Sequence, residues 1–138
     1  MIIRAVAFAS LTFICACTSQ AQLDNTAPQK TVLVASNYQA VFKQLNRGMR
    51  NCAANAFRID AQLYPDLGHA EITLSADGLT SASPFLYAKI IREGAQSSVL
   101  ELKSLMGISP EGPIAWMEFW AAGGTGCPGL SYAERPPQ

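Results

Sequence analysis

The clearest pattern of apolar and polar positions along this chain is helical. Tyr38, Val41, Phe42, Leu45, Met49 and Cys52 recur at spacings of three and four, while Lys43, Asn46, Arg47 and Arg50 fall mainly on the other side. Ser36 with Gln39 three residues on reads as a capping box. The pattern predicts one amphipathic helix over about residues 37–53. Arg47 and Arg50 suit the negative end of its dipole, which accounts for them without a ligand. Ahead of the helix, Val32 to Val34 is a short apolar run that fits a strand.

After the helix the period changes to two. Phe57, Ile59, Ala61 and Leu63 alternate with Arg58, Asp60, Gln62 and Tyr64, and Ala70, Ile72 and Leu74 alternate with Glu71, Thr73 and Ser75. Pro65-Asp66-Leu67-Gly68 turns the chain between them, and Asp77-Gly78 ends the second run. Phe85 to Arg92 and Ser98 to Leu105 continue as strands around a turn at Glu93-Gly94, with Glu101 and Lys103 on one face. The segment Pro113 to Ala122 supports two readings. Its alternation fits a strand, but Pro113 as a first helical residue and Gly123 just past the end fit a short helix over 113–122, which we take. The predicted fold is α+β: one main helix packed on a four-stranded antiparallel meander, with a second short helix behind it.

The amino terminus follows another logic. Arg4 is the lone charge before Asp24, and an apolar stretch from Ala5 to Ile14 follows it. This is the order of a secretory signal peptide, and the stretch is shorter than the roughly 20 apolar residues a bilayer span needs. It ends in Ile14-Cys15-Ala16-Cys17-Thr18, which resembles a bacterial lipobox with a small residue ahead of the cysteine that takes the lipid. We therefore expect a lipoprotein signal peptide over residues 1–16, lipid on Cys17, a polar flexible tether over 17–30 and one domain over 31–138. The rival is ordinary cleavage after Ala21, which would leave a soluble periplasmic protein. Thr18 in place of an aspartate after the cysteine implies the outer membrane over the inner one in lipoproteins of this kind.

Beyond the signal two cysteines remain, Cys52 and Cys127. In an oxidising compartment this even pair is expected to form a disulfide, at neither the spacing of a redox C-x-x-C nor that of a zinc site. The glycines around Cys127 lack the Lys-Ser/Thr of a phosphate loop and read as a turn.

Charge adds little. Ten Lys and Arg balance ten Asp and Glu, and no run of like charge marks a nucleic-acid surface. His69 is the lone histidine, near Asp66 in a turn, and reads as a surface residue more than as a base. No metal-ligand pattern, nucleophile motif or cofactor fingerprint is present, so we expect no metal, no cofactor and no enzyme. Tyr64, Tyr87, Trp116 and Trp120 are the candidates for a binding surface, against their alternative role as core.

A lipobox, a short tether, a helix ending in Arg50-Asn51-Cys52, a β meander and Trp120 upstream of Gly126-Cys127 together resemble a group of small proteobacterial lipoproteins of uncharacterised function. The likeness spans most of the chain. It implies a lipid-anchored envelope protein held to the membrane through Cys17; the anchor, the small size and the missing chemistry point to an envelope protein or polymer as its partner. The helix-on-sheet arrangement is also loosely similar to domains of lipoproteins accessory to outer-membrane assembly, a likeness of fold alone. The expected function is a binding or scaffold module, with a soluble periplasmic ligand carrier or an enzyme with an unrecognised site as the alternatives.

Overall fold

The computed structural model describes residues 20–78, 82–105, 111–129 and 135–137. The expected signal segment and Cys17 lie outside them. The architecture is α+β. Strands β1 (Lys30–Val34), β2 (Arg58–Tyr64), β3 (His69–Asp77), β4 (Ala82–Arg92) and β5 (Ser98–Ser104) form an antiparallel sheet in the order β1-β5-β4-β3-β2. Three helices accompany it: α1 (Gln20–Asn25), α2 (Tyr38–Ala53) and α3 (Glu111–Ala121).

The predicted meander is β2 through β5. The sheet has a fifth strand, however, where four were expected. The apolar run at residues 32–34 is β1, and it returns to pair with β5 rather than with its chain neighbour. The helix between β1 and β2 makes this connection possible. Sixteen helical residues span about 24 Å, and the four gaps of a five-stranded sheet span about 19 Å. The helix α2 is long enough to carry the chain from one edge of the sheet to the other.

Period two decides the faces. Ile72 and Leu74 of β3, Leu86, Ala88 and Ile90 of β4, and Leu100 and Leu102 of β5 are buried on one face. Against them pack Tyr38, Val41, Leu45 and Met49 of α2 and Ile114, Met117 and Trp120 of α3. The helix begins one residue later than expected. Ser36 is held in the turn leaving β1, its N–H donating to Val34 O at 2.8 Å and its carbonyl accepting from Ser98 Oγ at 3.0 Å. Asn37 is the cap instead, its Oδ1 accepting from Gln39 N at 2.9 Å.

The segment 113–122 is helical, and α3 ends as glycine chemistry requires. Gly123 has φ +94°, Gly123 N–H donates to Trp120 O, and Gly124 N–H donates to Phe119 O, both at 2.9 Å. These two bonds form a Schellman motif. Gly48 of α2 faces Trp120 so closely that a Cβ there would lie 2.6 Å from the Trp120 Cβ. The two helices are also joined covalently: Cys52, in the last turn of α2, is disulfide-bonded to Cys127 beyond α3. Trp120 Nε1 donates to Gly126 O at 2.8 Å, tying the cysteine-bearing loop back to the helix.

The expected tether is, from residue 20 onward, part of the folded body. Leu23 of α1 is fully buried on the outer face of the sheet, over β4, and β1 already begins at Lys30. Lys103 Nζ donates to the Leu23 carbonyl at 3.2 Å and so caps the helix end. A six-residue helix with one apolar anchor has no detectable period, which is why its sequence reads as disordered.

Candidate functional site

The four aromatic residues weighed as a binding surface against core are not gathered in one place. Trp116 and Trp120 are 3% and 1% exposed, core residues between α3, α2 and the disulfide loop. Tyr87 is buried on the outer face of the sheet, with the Lys103 ammonium 5.3 Å from its ring centroid. Tyr64 is half-buried and stacks on His69 at 4.8 Å.

These two tyrosines belong to a ladder of polar groups. His69 Nε2 lies 3.4 Å and Lys89 Nζ 3.9 Å from Glu71 Oε1, and the Tyr87 hydroxyl hydrogen bonds to the same carboxylate. Burial first, then the Glu71 charge, holds the Tyr87 phenol well above its ordinary pKa. Cross-strand neighbours on one face meet in this way in any polar sheet surface.

A concavity lies elsewhere, between β1 and α3. Among the described residues the strand β1 is an edge, hydrogen-bonded to β5 on one side. The helix α3 runs alongside it. Its N-terminal half stands by Gln29 and Lys30, and its C-terminal end stands by Val34 and Ala35. Alanines at 115, 121 and 122 give the helix little bulk on this side. A cavity of about 450 Å³ is lined by Gln29, Lys30, Glu111, Ile114, Ala115, Glu118 and Arg135. A second, of about 300 Å³, is lined by Val32, Val34, Leu100, Ala121 and Ala122 among others.

Glu118 lines both cavities and forms an ion pair with Lys30 at 2.7 Å. The pair pins α3 to the edge strand and divides the groove in two. The backbone of β1 is anchored from its start. The Gln29 carboxamide both donates to Ser104 O and accepts from Ser104 N, each at 2.8 Å, extending the β1–β5 ladder with a side chain. Next to the groove, Leu33 is 67% exposed on the outer face of the strand.

Sequence reasoning missed this site for a definite reason. Gln29 and Lys30 lay in the stretch read as a tether, and nothing in a pattern of five residues says that a strand occupies an edge. The signal that was available is the run Thr31-Val32-Leu33-Val34, which is strongly β-forming and has no proline. Among the described residues no three His, Cys, Asp or Glu side chains are grouped to hold a metal ion. None of their helices is long and apolar enough to cross a membrane. No protein-family model matches the chain, and no curated protein matches it significantly.

Proposed function

We propose that this protein is a lipid-anchored bacterial envelope module that binds a partner protein, with the groove between β1 and α3 as its binding site. The observation that carries the reading is that groove: two cavities, apolar in part and bridged by the Lys30–Glu118 pair, beside an exposed Leu33 on an edge strand. Grooves of a few hundred Å³ with a small number of placed polar groups are where partners and ligands bind. The disulfide supports the compartment, because such bonds persist outside the reducing cytoplasm.

The anchor on Cys17 is part of the proposal, as is a place at the outer membrane facing the periplasm. Two residues separate Cys17 from Gln20, a reach of about 11 Å over three Cα–Cα steps. With α1 docked on the sheet, lipid at Cys17 holds the domain against the bilayer surface rather than on a long leash. The soluble periplasmic form is the rival. The test is the intact mass of membrane-fraction protein, wild type against Cys17→Ser, together with photo-crosslinking from a benzoylphenylalanine at position 33 in living cells. The expected result is a chain starting at residue 17 with added acyl mass, lost in the variant, and a discrete crosslinked envelope protein. An unlipidated start at Gln22 overturns the anchor; a position 33 that crosslinks to nothing overturns the binding site.

A further inference from the structure

The two edges of the sheet differ in a way that bears on what the groove receives. The edge strand β2 carries Arg58, Asp60 and Gln62 along its outer face. Charged side chains on an edge discourage the addition of another strand. The edge strand β1 lacks that protection: its outer face carries Thr31 and Leu33, and it has neither proline nor a charge beyond Lys30. Lys30 is itself drawn aside by Glu118.

An unpaired edge presents a row of backbone donors and acceptors, so what completes it is another extended chain. The groove supplies the rest of the recognition. Side chains on one face of an added strand recur about every 7 Å. Those facing α3 would pass first the cavity walled by Ile114 and Ala115, then the one walled by Ala121 and Ala122. Small side chains along the helix leave space for larger ones on the incoming strand. The first cavity is the charged end: Arg135 lines it together with Lys30, Glu111 and Glu118, and while Lys30 pairs with Glu118, Arg135 forms no ion pair with the described residues.

We propose that the groove takes an extended peptide segment of a partner protein as a sixth strand beside β1, with apolar side chains at alternate positions and an acidic group at the Arg135 end. This rests on the reading of the groove as the binding site and names the chemistry of its partner. A second copy of the chain is a poorer occupant. An edge of five residues is about 17 Å long, and pairing two of them buries well under the roughly 1,000 Å² that a stable dimer needs. A peptide reaches both the edge and the cavities.

The test pans the purified exported protein, disulfide intact, against a phage library of random linear decapeptides, and maps the enriched peptides by hydrogen–deuterium exchange. The expected result is a motif with aliphatic residues at alternate positions and Asp or Glu toward one end, with amide protection confined to residues 29–34. Leu33→Lys should weaken these peptides at least tenfold, and Arg135→Glu should abolish the acidic preference. Both positions are exposed, so both variants should keep the wild-type fold by circular dichroism. Peptides that protect α2 or the outer sheet face and ignore Leu33→Lys overturn the added strand while leaving a binding module in place. Failure of any peptide to enrich also overturns it, and crosslinking from position 33 then judges the module separately. A dimer in light scattering that Leu33→Lys dissociates assigns the edge to a second copy and equally overturns the proposal.

Discussion

Gly48 and Trp120 meet face to backbone at the crossing of α2 and α3, with no room for a methyl group between them. The contact falls on the Trp120 Cβ and Cγ, atoms next to the main chain that cannot swing away. Alanine is the better helix former by up to about 1 kcal/mol, but overpacking a core typically costs about 1–3 kcal/mol. Since α3 would have to shift as a whole and strain its disulfide-bearing loop, the steric cost should exceed the propensity gain. Gly48→Ala should lose about 2 kcal/mol in urea unfolding. A more stable variant would mean that the helices separate easily.

The Cys52–Cys127 bond closes a loop of 75 residues. In the chain-entropy model, closure of that length is worth about 4 kcal/mol. Reduction, or the pair Cys52→Ala with Cys127→Ala, should lower the urea midpoint accordingly, and Trp fluorescence should follow the loss because Trp120 bonds to Gly126 beside the bridge.

Tyr87 makes stability depend on alkaline pH. Its folded pKa is raised, chiefly by burial and secondly by Glu71. A group of this kind contributes fully below the unfolded tyrosine pKa of about 10. As pH rises above that value the unfolded chain loses its proton first, and the contribution falls away up to the folded pKa. The wild type should therefore destabilise above about pH 10 more steeply than Tyr87→Phe, read from urea midpoints between pH 8 and 11. Equal slopes would show that the phenol is not held in its neutral form.

Leu23 is the buried anchor of α1. Replacing a buried leucine by alanine costs about 2–5 kcal/mol where the site belongs to the cooperative core. The α1 helix is six residues long and sits outside the main core, so it can detach alone. Leu23→Asp should release it: residues 20–25 should become cleavable under limited proteolysis while the urea midpoint moves by less than the core value. A midpoint shift of full core size would place α1 inside the cooperative unit.

Much of this protein was legible in one dimension because its periods are local. The stripe from Tyr38 to Cys52, the alternations of β2 to β5, and the Pro113 and Gly123 bracket of α3 each state an element without reference to any other. The pairing of Cys52 with Cys127 followed from there being two cysteines beyond the expected signal and an expected oxidising compartment. The tertiary structure decided the rest, because it concerns which surfaces meet. That β1 closes on β5, that α2 is long enough to cross the sheet to β2, and that Leu23 folds a polar stretch onto β4 are long-range facts without a local period. Trp116 and Trp120 fit core or surface equally by spacing alone, and it is Gly48 that admits Trp120 to the core. The groove between β1 and α3 exists only because an edge strand and a helix of small residues, some eighty positions apart, come to lie side by side.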